Sequence, residues 1–117
     1  LLMSRAFVSH VASSDRRIIA NISSRLGSIE KNDWGSWYVY GTSKTVLNRI
    51  SVQLARTLEP KGITVTALHP GWVQTDMGGP QAKLTIDESV NGLADVLEGA
   101  SGAGFRFVDY KGDELAF

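Results

Sequence analysis

Tyr40 and Lys44 stand four residues apart in the stretch Trp37-Tyr38-Val39-Tyr40-Gly41-Thr42-Ser43-Lys44. If this stretch is helical, positions i and i+4 share one face, so a phenol and an ammonium point into the same space. A nearby positive charge favours the phenolate, which lets the hydroxyl give or take a proton near neutral pH. Upstream lies Asn21-Ile22-Ser23-Ser24, and the Ser24 hydroxyl, brought in from another element, can hold a reacting oxygen. This set of groups suits proton transfer to or from a carbonyl or alcohol oxygen. Tyr38 lacks the spacing, because the residue four places on is Thr42; it reads as a packing or substrate-pocket residue. Ser23 and Ser24 go to opposite faces if their segment is a strand.

The elements that must position these groups are legible from periodicity and punctuation. Residues 1–13 carry Leu2, Ala6 and either Phe7 or Val11 at helical spacing, with no capping residue ahead of them. The chain is expected to begin inside a helix, with a segment missing in front of it. Ser13-Ser14-Asp15-Arg16 is a polar turn, and residues 17–23 are rich in β-branched side chains and read as a buried strand. Residues 25–36, with Gly27, Asn32-Asp33 and Gly35, read as a loop. Ser36 is the expected N-cap of a helix over 37–59, in which Leu47, Ile50, Leu54 and Leu58 follow at steps of three and four before Pro60 and Gly62. Residues 63–68 form a second buried strand, ended by His69-Pro70-Gly71, and 71–84 form a long loop. Thr85-Ile86-Asp87-Glu88 has capping-box spacing, and Val90, Leu93, Ala94 and Leu97 give the next helix its apolar stripe before Gly99. Phe105 to Asp109 form a third strand, Lys111-Gly112 a turn, and Asp113-Glu114 a solvated turn near the end.

Helix and strand alternate throughout, which argues for parallel strands joined by crossover helices. A parallel sheet needs cover on both faces. If the strand at 17–23 is a middle strand of a larger sheet, its outer edge is bare in this chain.

Composition narrows the function classes. The 117 residues fit one domain, and 43% hydrophobic and 21% charged residues are ordinary for a globular protein. Twelve basic and twelve acidic side chains balance, so no basic excess points to nucleic acid, and no polybasic or amphipathic segment points to a membrane surface. The apolar runs are too short to span a bilayer. The start is not a signal peptide, because no charged region precedes the apolar stretch. Without cysteine there is no disulfide, thiolate chemistry or thiolate metal site, which fits a reducing cytoplasm. His10 and His69 lack acidic partners at ligand spacing, so they read as surface or packing residues and no metal site is expected. Trp34, Trp37 and Trp72 either line a pocket or pack in the core.

The sequence resembles the short-chain dehydrogenase/reductase family. Three segments carry the likeness: Asn21-Ile22-Ser23-Ser24, Tyr40-Gly41-Thr42-Ser43-Lys44, and His69-Pro70-Gly71-Trp72-Val73-Gln74-Thr75-Asp76-Met77-Gly78-Gly79. The family pattern is a strand-end serine, then Tyr-x-x-x-Lys in the next helix, then Pro-Gly and a threonine after the next strand. The third segment is most similar to the carbonyl-reductase-like branch that includes the sniffer and C-factor proteins. The resemblance covers essentially the whole chain but only the second half of the family's fold. It implies an α/β fold, the second half of a Rossmann-type doubly wound parallel sheet of three strands with crossover helices, the N-terminal half being absent. No glycine-rich phosphate turn is found, and the family's catalytic asparagine would lie just ahead of Leu1.

The resemblance further implies an NAD(P)-dependent oxidoreductase, with NADP favoured, acting on a small-molecule carbonyl or alcohol. Tyr40 would be the general acid or base, Lys44 would hold the nicotinamide ribose, and Ser24, chosen over Ser23 on the family pattern, would hold the substrate oxygen. Pro70, Gly71, Val73 and Thr75 would contact the cofactor together with Tyr40 and Lys44. The helices at 1–13 and 37–59 would form a homo-oligomer contact. This segment alone is expected to be inactive. The alternative is a catalytically silent truncated homologue that acts as an assembly module.

Overall fold

Three short runs of β-branched and aromatic residues pair into one parallel sheet. In the computed structural model, which describes residues 1–33 and 35–117, β1 (Ile18–Ile22), β2 (Thr64–His69) and β3 (Gly104–Asp109) lie in the order β1-β2-β3. The register sets Ile19 beside Val65 and Val65 beside Phe105, and two residues on, Asn21 beside Ala67 and Ala67 beside Phe107. Side chains alternate across a strand, so these residues share one face, while Ala20, Thr66 and Arg106 share the other. Helices α1 (Leu2–Ser13) and α2 (Tyr38–Leu58) pack on the first face. The core there joins Ala55, Leu58, Ile63 and Val65 to Val8, Val11, Ala12, Ile19, Leu54 and Phe105. A third helix, α3 (Ile86–Glu98), touches the carboxyl ends of the strands, where the Ser89 hydroxyl donates to the Pro70 carbonyl at 2.7 Å and Gly92 abuts Tyr110. This is a segment of a Rossmann-type fold.

Four local expectations are corrected. The α2 N-cap is Trp37, not Ser36: the chain reverses at Trp37 through a left-handed conformation (φ 68°), its carbonyl accepts the first helical bond from the Gly41 N–H, and no side chain caps the end. The inward face of α1 is set by Val8, Val11 and Ala12, whereas Leu2 and Phe7 are 82% and 50% exposed. In α3, Val90 and Ala94 are exposed and the packed side runs through Ser89, Gly92, Leu93 and Val96, because contact is made with Pro70 and Tyr110. Finally, Asp113 and Glu114 do more than turn the chain. The Asp109 N–H donates to the Asp113 carbonyl, the Leu115 N–H to the Phe107 carbonyl, and Glu114 pairs antiparallel with Val108. Phe117 then lies on Phe105 and Phe107, with ring centroids 5.5 and 5.9 Å apart. Thr85 and Glu88 do form the expected capping box. Among the described residues no helix is long and apolar enough to cross a membrane.

Candidate functional site

Two polar pairs lock α2 onto β1. Asn21 and Ser23, both directed at the helix face of the sheet, meet Ser51 and Asn48: the Asn21 Nδ2 donates to Ser51 Oγ at 2.9 Å, and the Ser23 hydroxyl donates to Asn48 Oδ1 at 2.6 Å. Ser23, Asn48 and Ser51 are all buried. A buried polar group without a partner costs about 1–3 kcal/mol, so these pairs fix the position of α2 along the strand more sharply than apolar contacts can.

The chain leaving β1 is strapped to the same helix. After Ser24 it forms a short 3-10 turn, Arg25–Gly27, and the Gly27 carbonyl accepts from Thr45 Oγ1 at 3.0 Å and Asn48 Nδ2 at 3.4 Å. Glycine is required at 27: a Cβ there would stand 2.8 Å from the Lys44 carbonyl carbon. Gly41 similarly faces the Leu26 carbonyl, at 3.0 Å from an added Cβ. Ser24 is thereby held against the first turns of α2. Its Oγ accepts from the Leu26 N–H at 3.2 Å, and its own proton has no acceptor among the described residues. The Ser23 hydroxyl, in contrast, is consumed by Asn48.

Tyr40 is half-buried in the first turn of α2, and Lys44 lies one turn on. The Lys44 Nζ stands 5.5 Å from the Tyr40 ring centroid and donates to the Ile22 carbonyl at 3.0 Å. The amine thus bridges the phenol-bearing helix and the strand end that leads into Ser24. Trp37 meets Tyr40 edge-on, with ring centroids 6.2 Å apart. Trp37, Tyr38, Val39, Tyr40 and Ser43 line an open recess of about 570 Å³. Tyr38 is mostly exposed and belongs to this recess rather than to the core. Trp72 instead pins its own loop, donating from Nε1 to the Gly78 carbonyl at 2.8 Å. Trp34 lies outside the described residues.

The loop after β2 is ordered by its own bonds. Gly71 takes φ 83°, and Val73 pairs with Leu84. Thr75 Oγ1 accepts from the Gly78 N–H at 3.2 Å. At the base of the loop, burial pushes the His69 pKa down to about 4; the Arg25 cation lowers it further and the Asp109 carboxylate opposes. The His69 Nδ1 is buried with no hydrogen-bond partner among the described residues.

Helical spacing and the family pattern do not single out Asn48 and Ser51 as parts of this region, whereas His69 belongs to the third resemblance segment and is packed, one of its two expected settings. A signal existed for the first two: buried polar residues at 48 and 51 interrupt the apolar stripe Leu47, Ile50, Leu54 and Leu58.

A family model for short chain dehydrogenases matches residues 1–84. The C-signal protein of Myxococcus xanthus is 43% identical over 100 residues, which are 85% of this chain and 60% of its own. The carbonyl reductase Sniffer of D. melanogaster superposes with a TM-score of 0.91 at 34% identity, over 99% of this chain and 52% of that one. An NADPH-bound carbonyl reductase from chicken fatty liver gives a TM-score of 0.88 at 34% identity, again over 99% of this chain and 52% of its own. The chain spans just over half the length of these relatives.

Proposed function

The chain belongs to the short-chain dehydrogenase family, and on that premise we propose that it carries the proton-transfer side of an NAD(P)-dependent oxidoreductase acting on a carbonyl or alcohol. A bound nicotinamide dinucleotide supplies or accepts the hydride. Tyr40 gives its hydroxyl proton to the carbonyl oxygen in reduction and takes it back in oxidation. Ser24, whose proton has no acceptor among the described residues, donates to the same oxygen and stabilises the charge that develops there. With the cofactor bound, Lys44 would hold the nicotinamide ribose hydroxyls, and Pro70, Gly71, Val73 and Thr75 would contact the carboxamide and phosphates.

The donor set suits the nicotinamide end of such a cofactor: an ammonium at the carboxyl end of a strand, two hydroxyl-bearing side chains, and a glycine at φ 83° in the following loop. The NADPH named with the chicken liver relative favours NADP over NAD. The observation that carries the reading is the single position of Lys44 Nζ, over the Tyr40 ring and on the carbonyl that precedes the two serines. In any preparation that reduces carbonyls with NADPH, Tyr40→Phe should lower kcat by about a hundredfold or more. A rate near that of the parent would remove Tyr40 from the chemistry.

A second reading is favoured by the exposed apolar side of the helices. Leu2, Met3 and Phe7 of α1 and Val46 of α2 are all at least half exposed. We infer that these surfaces join two copies of the chain, with or without catalysis.

A further inference from the structure

The turn that leads into β1 carries a backbone outlier. Arg17 takes φ 52°, a left-handed conformation that glycine or asparagine adopts with less strain than arginine. The turn is tied on both sides. The Arg17 N–H donates to Ser14 Oγ at 3.2 Å, the Ser14 hydroxyl donates to the Val11 carbonyl at 2.7 Å, and the Arg17 carbonyl accepts from the Thr64 N–H at 2.9 Å. The side chain then crosses Gly62, where an added Cβ would stand 3.3 Å from Arg17 Nη1. A fixed turn and a glycine together set the course of the guanidinium.

Arg17 lines an open recess of about 550 Å³ at the amino ends of the strands, with Ser14, Arg16, Gly62, Ser101 and Gly102 among its other walls. That volume suits a small organic ligand. Among the described residues Arg17 has no carboxylate within ion-pair distance. Arg16 reaches Glu98 at 4.0 Å, but both side chains are about two-thirds exposed, and such a pair is worth little in water. Asp15 is the one carboxylate that lines the recess, against two guanidinium groups. The Ser101 hydroxyl and the N–H groups of Ser101 and Gly102 have no acceptor among the described residues. The recess therefore gathers cationic and neutral donors that the chain itself does not use.

We propose that this recess binds a phosphate dianion, free or carried by a small organic molecule. A guanidinium presents two parallel N–H groups that match two phosphate oxygens. Arg17 supplies that fork, Arg16 adds the second positive charge, and Ser101 and Gly102 supply neutral donors. Asp15 opposes a bare anion but accepts from a hydroxyl, so a phosphate attached to a sugar satisfies the set more fully than phosphate alone. The recess lies at the opposite end of the strands from Ser24, Tyr40 and Lys44. Ligands of doubly wound sheets bind outside the carboxyl ends, so the phosphates of a nicotinamide cofactor do not account for these donors. The inference is independent of the role given to Tyr40.

The test titrates the isotope-labelled chain with inorganic phosphate and, separately, with ribose 5-phosphate, at an ionic strength held constant with sodium chloride, and follows amide and arginine Nε signals by NMR. Saturable shifts are expected at Arg17, Gly62, Ser101 and Gly102, and not around Lys44. Tighter binding of the ester assigns the recess to a phosphorylated small molecule, and equal binding assigns it to free phosphate. Arg17→Asn keeps a residue that tolerates the left-handed turn and removes the guanidinium, so its thermal unfolding in chloride should match the parent while affinity for both ligands falls about tenfold or more. Arg17→Lys keeps the charge without the fork and should bind with an affinity between the two. Three outcomes would each overturn the proposal: no saturable shift with either ligand, shifts confined to the surroundings of Lys44, or an Arg17→Asn variant that binds as tightly as its parent.

Discussion

Replacing Ser23 with alanine removes the hydroxyl that donates to a buried Asn48 oxygen, whereas replacing Ser24 removes a proton with no acceptor among the described residues and one bond accepted from the Leu26 N–H, a cap contact worth about 1 kcal/mol. The two substitutions should therefore separate. Ser23→Ala is expected to lower stability by about 1–3 kcal/mol, read as a shift in the urea midpoint. Ser24→Ala should leave that midpoint within about 1 kcal/mol and instead lower carbonyl reduction. Equal effects of both on stability and rate would dissolve the distinction. His69 gives a second residue-scale expectation. Its folded pKa, about 4, lies below the ordinary value of 6.5, so the unfolded chain binds more protons between these two values. The stabilisation is complete above pH 6.5 and is lost as pH falls toward 4. Urea titrations across that window should show stability falling, and His69→Gln should flatten the slope.

Element by element, the patterns that depend on neighbours in sequence were legible and those that depend on neighbours in space were not. The three strands and three helices follow from β-branched runs, helical spacing and the stops at Pro60-Gly62 and Gly99. The Thr85–Glu88 capping box was visible because all its bonds are local. The α1 face was misjudged because its spacing allows two stripes, and only the sheet below it selects Val8, Val11 and Ala12. The α2 start does not follow from capping preference: a serine is a good cap in isolation, while here the chain reverses at Trp37 in a left-handed conformation. Of the candidate site, the Tyr40 and Lys44 pair was readable from spacing, and the clamp formed by Asn21, Ser23, Asn48 and Ser51 was not. The capping box also carries a pH signature. The Thr85 N–H and hydroxyl both donate to Glu88 Oε2 at 2.8 Å and hold its carboxyl below the usual range. That contribution is present above the ordinary glutamate range and is lost as pH falls through the lowered value. Glu88→Gln should abolish this part of the acid sensitivity, and helix signals of Ile86 to Val90 followed by NMR would check it.

For the molecule as a whole, the surfaces left uncovered differ in kind. The helix side exposes Leu2, Met3 and Phe7, and the outer edge of β1 has no strand partner among the described residues. If the helix side joins two copies, Phe7→Glu should convert a dimer to a monomer in light scattering without changing the far-ultraviolet circular dichroism; a dimer that persists would exclude this surface. The four-residue polar clamp between α2 and β1 bears on how the chain can vary. Oily surfaces slide over one another at little cost, but an amide and a hydroxyl meet in one setting or not at all. Drift in the volumes of Val65, Leu54 or Phe105 can therefore be absorbed by repacking without letting the helix creep along the strand. The alignment of phenol and amine over the crevice behaves like a notched setting on a dial rather than a point on a smooth scale.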